Sequence, residues 1–221
     1  FDPQKAAVRY CQSLNVLYKY FGDASLMRQL YLSDLTAKEI RLFKNGGKVN
    51  LLHSRDSFGR RILFMFLGVG HVEEIRLRRR ILIFLLYSVL AEDITVQKRG
   101  MAWVISSLPT NDSVSPSTSL PLPSSAGRSI GASLSGEQEF LKGLPVNPSA
   151  VHICVPNEPK YQFIAAVLTA VLGKDIRPRL RIQFGLSIIE MMYSLRNFGI
   201  LDFPLTHTGK VKNKHIKDFI K

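Results

Sequence analysis

Lys174, Arg177, Arg179 and Arg181 are the closely spaced residues of this chain whose chemistry is easiest to name. They lie between a stretch that reads as an apolar helix and one that reads as a strand. On the strand the alternate residues Arg179 and Arg181 share one face, and Leu180 and Ile182 share the other. Cations beside an apolar helix suit a phosphate-bearing amphiphile or an anionic membrane surface, at about 1 kcal/mol per basic residue near the bilayer. A solvated basic rim without a ligand is the other reading.

Other chemistry is hard to assemble. Gly68-Val-Gly70 falls between a strand and a helix, where a dinucleotide-binding turn would sit. Glu73 takes the third-glycine position there and sets a carboxylate where a pyrophosphate would bind, which favours a plain strand-to-helix turn. No phosphate-binding loop, nucleophile elbow or His-Glu-x-x-His pattern occurs. His53, His71, His152, His207 and His215 have no ligand spacing, and His152, inside a strand, reads as a hydrogen-bonded core or rim histidine. Cys11 and Cys154 are distant and lack CxxC spacing, so neither a disulfide framework nor a zinc site is indicated, and a reducing compartment is the default. The chain is therefore expected to be no enzyme and to need no cofactor or metal. Arg76, Arg78, Arg79 and Arg80 form a second basic cluster on one helix, read as a solvated face ahead of a localisation or nucleic-acid patch.

The elements that must position these groups follow from punctuation and period. Ala150–Val155 is short, β-branched and closed by Pro156, which predicts a strand. Asn157 caps a helix that Glu158 and Pro159 open and Gly173 ends. That helix carries Tyr161, Phe163, Ile164, Val167, Leu168, Val171 and Leu172, more apolar surface than one stripe facing a sheet requires. Arg179–Phe184 alternates in the period-2 manner of a half-buried strand. Further strands are expected at Lys48–His53, Arg61–Leu67 and Gly100–Ile105. The Asp56–Gly59 turn delivers the chain into the second of these. Helices are expected from Asp2 to about Phe21, from Thr36 with a Thr36-x-x-Glu39 capping box, from Val72 to Glu92, near Gln138–Lys142, and from a Ser187-x-x-Glu190 box to Gly199. On the first helix Ala7, Tyr10, Cys11, Leu14, Leu17, Tyr18 and Phe21 recur at helical spacing, so one face packs against something.

The chain of 221 residues is 46% hydrophobic, enough for a sizeable single core. Its net charge of +13 favours an anionic partner without saying which. Residues 106–136, rich in Ser, Pro, Gly and Thr, read as a flexible surface insert, and the tail from Lys210 to Lys221 is basic. The longest apolar run, Ile81–Leu90, is far below the roughly 20 residues that span a bilayer. Because the chain opens at Phe1, at the edge of a helix, upstream sequence is expected to be missing. The expected organisation is a helical N-terminal region over residues 1–47, then a domain over 48–221.

Several segments in register resemble the CRAL-TRIO lipid-transfer family. Phe1-Asp2-Pro3-Gln4-Lys5-Ala6-Ala7 is similar to that family's FD-x-x-KA helix start, and Arg55-Asp56-Ser57-Phe58-Gly59-Arg60-Arg61 to its RD-x-x-GRP turn. Ala91–Gln97 followed by Gly100 resembles an E-x-x-x-x-Q…G stretch, Ala150–Pro156 the strand "AIHICYP", and Arg181–Gly185 a strand ending in glycine. The resemblance implies an α/β fold: a mixed β-sheet as the floor of an apolar pocket, flanking helices, and a gate helix at about Pro159–Leu172. It implies a non-enzymatic module that binds, and transfers or senses, a small hydrophobic lipid. The basic patch by which tocopherol-transfer members engage phosphoinositides is similar in position to Lys174–Arg181. The Ser/Pro-rich segment replaces most of a helix expected between two core strands, and the headgroup-binding patterns of the phosphatidylinositol-transfer members have no match, so lipid identity does not carry over.

On this reading Phe64, Phe66, Trp103, Ile105, Ile153 and Val155 form the floor, and Phe163, Val167, Leu168 and Val171 the lid. The opposite pleat (Leu63, Met65, Ala102, Val104, His152, Cys154) stays open as the alternative floor, because runs apolar on both faces do not reveal which one is hollow. The expected partners are a hydrophobic lipid and an anionic membrane surface, engaged by a cytoplasmic, peripheral, monomeric protein. The rival from another class is a basic nucleic-acid-binding or scaffolding domain. Against it, the basic residues are not interleaved with strand aromatics, and no RNA-binding or helix-turn-helix signature occurs.

Overall fold

The computed structural model describes residues 2–44, 49–66, 72–106, 139–146, 148–171, 177–185, 188–197 and 199–200. The expected insert, the basic tail, Gly68–Gly70, Gly173, Lys174 and Ser187 therefore lie outside the described residues, as do the side chains of Phe66, Val167, Leu168 and Val171. The architecture is mixed α/β, a five-stranded mixed sheet with flanking helices.

Helix α1 (Pro3–Phe21) begins as its residues dictate: the Asp2 carboxylate accepts from the Gln4 and Lys5 N–H groups at 3.1 Å, and Gly22 stops the helix. Its buried face is Ser13, Val16, Leu17 and Tyr20, while Tyr10, Cys11 and Tyr18 are exposed. Of the expected stripe, Leu17 and Phe21 pack on the core and Leu14 is half-buried, whereas Ala7, Tyr10, Cys11 and Tyr18 are exposed, so the packing face is turned from the one expected. Two apolar stripes compete on α1, and a pairing with a distant helix decides between them: the Ser13 and Tyr87 hydroxyls meet at 2.7 Å. A short helix α2 (Ala24–Met27) and a 3-10 turn (Leu32–Asp34) lead to α3 (Ala37–Lys44). Its capping box forms as read, with Glu39 accepting from Thr36 N–H at 2.7 Å and donating its own N–H to the Thr36 hydroxyl at 3.3 Å.

The sheet runs β1 (Val49–Arg55), β2 (Arg61–Phe66), β3 (Met101–Ser106), β4 (Pro148–Val155), β5 (Leu180–Phe184) in that spatial order. Only the first pair is antiparallel. Helix α4 (Val72–Glu92) and the short α5 (Ile94–Arg99) connect β2 to β3, α6 (Pro159–Val171) connects β4 to β5, and α7 (Ile188–Asn197) follows. Parallel strands laid down in one direction with right-handed crossovers put α4 and α6 on the same face. The packing agrees. One core unites Ile81–Leu86 of α4, Leu17 and Tyr20 of α1, and Leu63, Trp103, Val151 and Ile153 of the sheet, with Tyr161 of α6 against it. The opposite face carries a smaller core of Ile62, Phe64, Ala102, Val104 and Cys154 under Met191 and Leu195 of α7 and Ile200.

The β1–β2 turn shows why Arg-Asp-x-x-Gly-Arg is a turn. The Asp56 carboxylate accepts from the Phe58 and Arg60 N–H groups (3.0 and 2.8 Å) and from Arg60 Nε (2.7 Å), while Gly59 N–H closes on Asp56 C=O at 2.9 Å. Asp93 ties this hairpin to the α4–α5 junction. One of its oxygens caps α5 through Thr95 and Val96, and the other accepts from Arg55 at 2.6 Å and Arg61 at 3.1 Å. Burial would raise the Asp93 carboxyl, but the hydrogen bonds from Arg61, Val96 N–H and Arg55 outweigh it and hold the group below its ordinary value.

Arg80 is not on a solvated face. Its Nε donates to Glu39 Oε1 at 2.5 Å, its Nη2 to Asp34 C=O at 2.8 Å and its Nη1 to Tyr20 C=O, and its guanidinium lies 4.2 Å from the Phe21 ring centroid. Arg79 stacks on Phe140 at 4.8 Å and donates to the Tyr20 hydroxyl at 3.1 Å. Of the cluster read as solvated, Arg76 is exposed, and Arg79 and Arg80 bind the helical layer to α4.

His152 is buried in β4 between Val104 and Arg181, a core position. Burial, then the nearby charges of Arg60 and Arg181, lower its pKa to about 4 against a smaller opposing pull from Asp56. The folded-state pKa lies below the unfolded one, so this group's contribution is present above pH 6.5 and is lost as pH falls toward about 4. His152→Gln should flatten that decline by up to about 3 kcal/mol, read as the difference in urea midpoint between variant and parent at neutral pH and near pH 4. Parallel pH profiles would refute it.

Candidate functional site

The cations called a candidate site lie at the β5 end of the sheet. Arg177 and Arg179 bound a 3-10 turn that leads into β5, and Arg181 is its second residue. Each guanidinium is held by backbone carbonyls: Arg177 by Thr169 at 3.1 Å, Arg179 by Pro148 at 3.1 Å, Arg181 by Leu180 at 3.0 Å and Pro178 at 3.4 Å. All three are exposed, and none forms an ion pair with a described carboxylate. Carbonyl anchors leave the positive charge unneutralised and hold the forks in place, which suits oxyanions. Arg9 of α1 joins this rim. It donates to Leu144 C=O at 3.3 Å, and burial, with the Arg179 charge behind it, lowers its pKa. Nothing in the helical pattern of α1 marks Arg9, because the proximity depends on how α1 crosses the segment before β4.

The six residues read as a floor do not share one face. Trp103, Ile105, Ile153 and Val155 line the α4 side, aligned with Leu63 and Met65, whereas Phe64 aligns with Val104 and His152 and packs under α7. The alternative floor splits the same way, since Leu63 and Met65 lie opposite Ala102, Val104, His152 and Cys154. Period 2 sets the phase within each strand. The phase between strands comes from pairing, which a run apolar at every position conceals. Phe64, Trp103, Ile153 and Val155 are each at most 3% exposed, so in this structure they touch protein rather than open space. Ile105 is half-buried against the same core.

On α6, Ala165 is buried and Tyr161 packs on the large core, but Phe163, read as a lid residue, is 67% exposed. Ala166 is exposed with it. The burial of Cys154 pushes its thiol up to about 12, which makes it a packing residue. Described residues line two clefts away from the sheet edge. One, of about 530 Å³, is mostly apolar and lies between α1, the loop at Arg28–Leu30, α4 and Gln97. The other, of about 220 Å³, is lined by polar and apolar surface in near-equal share and lies between α1, Arg79 and the short helical segment at 139–142, where a helix was expected. Neither touches the expected floor or lid.

Compared with known proteins, the chain matches no family model and no curated protein. Among the described residues, no helix is long and apolar enough to cross a membrane, and no group of three or more His, Cys, Asp or Glu could hold a metal ion.

Proposed function

We propose that this chain binds a small hydrophobic lipid beneath α6, against the sheet face of Trp103, Ile105, Ile153 and Val155, and docks on anionic membranes through Arg177, Arg179 and Arg181 with Lys174. One observation carries the reading: the hydrogen bond from Arg177 to Thr169 ties the cation rim to the last turn of the helix that exposes Phe163. A force that draws the rim to an anionic surface acts on α6 as well. Tyr161 and Ala165 pack α6 on the large core, and on this reading the helix lifts from it as a hinged lid, with Gly173 as the hinge. A lipid chain entering beneath it would be stabilised by about 0.8 kcal/mol per buried methylene, with no polar chemistry. Because the floor is closed by packing here, entry requires that movement. Val167, Leu168 and Val171 would then join Phe163 in covering the lipid or meeting the bilayer.

Two measurements test this. Vesicle flotation compares neutral phosphatidylcholine with phosphatidylcholine containing phosphatidylserine. The Arg177→Gln, Arg179→Gln, Arg181→Gln triple variant should lose roughly 100-fold in binding to the anionic vesicles, about 1 kcal/mol per arginine. Native mass spectrometry with organic extraction should find a lipid bound stoichiometrically to the parent, and none after Phe163→Asp with Val167→Asp in a chain that still folds. Retained binding in the triple variant, or an empty parent protein, overturns the corresponding half. Binding to RNA or DNA with a steep salt dependence and no extractable lipid would favour the nucleic-acid reading instead.

A further inference from the structure

The cleft of about 220 Å³ between α1, α4 and the short helical segment at 139–142 has no part in the docking rim or the expected pocket. Its walls bring Lys19 of α1, Glu139 and Lys142 of the helical segment, and Arg79 of α4 together with the amides of Gln12 and Asn15. The two walls meet closely because residue 143 is glycine: a Cβ there would lie 2.3 Å from Val16 Cγ2 and 2.9 Å from Gln12 C=O. Lys19, Lys142 and Glu139 are exposed, and none of them forms an ion pair among the described residues, although charges of both signs line the same space. Arg79 is braced differently. The Phe140 ring lies 4.8 Å from its guanidinium, the Tyr20 hydroxyl accepts from it at 3.1 Å, and those two rings meet edge-on at 5.7 Å. The result is one aromatic-braced fork at the base, two flexible ammonium groups on opposite walls, and a carboxylate beside them.

We propose that this cleft is a binding site for a small phosphomonoester that also carries a hydrogen-bond donor. A phosphomonoester has a charge of about −1.5 to −2 at neutral pH and three acceptor oxygens, which match the two ammonium groups of Lys19 and Lys142. A hydroxyl or ammonium group on the same molecule answers Glu139. The volume falls below the usual span of about 300–1,000 Å³ for drug-sized ligands, which restricts the site to a small headgroup or a metabolite of that size.

Titration calorimetry of the full chain with glycerol phosphate, at fixed ionic strength and against sulfate as control, tests the site. The expected result is saturable binding, with sulfate weaker, and about tenfold weaker binding in the Lys19→Gln, Lys142→Gln variant. Both lysines are exposed, so this variant keeps its fold and remains informative if Arg79→Gln does not. Glu139→Gln should weaken glycerol phosphate and leave inorganic phosphate unchanged. Competition by vesicles containing phosphatidic acid would mark a lipid headgroup as the source, and its absence a free phosphate; either supports the site. Equal response to sulfate and glycerol phosphate, or unchanged binding in the lysine variant, overturns it. Because the cleft shares no residue with the arginine rim, the rim's triple variant should bind glycerol phosphate normally even where vesicle docking is lost.

Discussion

Arg80→Met should destabilise the fold by about 3–5 kcal/mol, the largest loss expected from any single charged residue described here. Glu39 is 0% exposed, so deleting its partner leaves a carboxylate buried without its counter-charge, and breaking a buried pair costs that much. Three further contacts go with it: the carbonyls of Tyr20 and Asp34 lose a donor, and Phe21 loses its cation. These groups belong to α1, the turn at Leu32–Asp34, and α3, so one side chain of α4 ties together three elements of the N-terminal layer. Arg80→Lys should recover little, because an ammonium cannot span acceptors set for a fork. Arg80→Met with Glu39→Leu should be markedly more stable than Arg80→Met alone, since the orphaned charge is then gone. Urea midpoints with unchanged slopes decide it. A single variant within about 0.5 kcal/mol of the parent would mean the clamp contributes only orientation.

Gly199→Ala comes second, at roughly 2–5 kcal/mol. Gly199 closes α7 with its N–H on Arg196 C=O at 2.8 Å and has φ of +78°, where an L-residue is strained. A Cβ there would sit 2.1 Å from Ser57 Oγ, 2.4 Å from Ser57 Cβ and 2.6 Å from Ser57 N. The last of these is backbone, fixed in the turn that Asp56 organises, so relief must shift either the hairpin or α7. The companion Ser57→Gly removes the two side-chain clashes and keeps the third. Partial rescue in the double variant, read by thermal unfolding, is the expected outcome. Full rescue would place the whole cost in side-chain crowding, and no loss in Gly199→Ala would mean that α7 does not abut the turn.

What was legible in the sequence was mostly local. Asp2, Gly22, the Thr36–Glu39 box and the Asp56–Gly59 turn announce themselves because each satisfies backbone groups within a few residues. The span of α4 was readable from its charged first half and the apolar run Ile81–Leu90 that follows. Helices α2 and α5 were not, because four- and six-residue helices carry too little periodicity to register. Asp93 shows what would have found α5: its one carboxylate is both N-cap and salt-bridge partner, and only the second role depends on the hairpin. The candidate cations at Arg177, Arg179 and Arg181 came out together at the sheet edge, since neighbours on one short segment can hardly do otherwise. The floor did not, because the phase between β2 and β3 is set by pairing rather than by either strand alone. Arg9 and the cleft around Arg79 depend on how α1 crosses other elements, and no residue within α1 encodes that.

The linear strand order leaves β5 as an outer strand whose far side has no partner among the described residues. A short edge strand flanked and punctuated by arginines is a poor template for another chain's strand, because charge repels a second copy laid alongside. The same arginines would then serve two purposes, attracting an anionic surface and keeping copies of this protein apart. Neutralising them for a docking test removes both effects, so glutamine is the suitable replacement and valine is not. With valine, lost vesicle binding and edge-to-edge aggregation would look alike in a flotation assay, and light scattering at rising protein concentration would separate them.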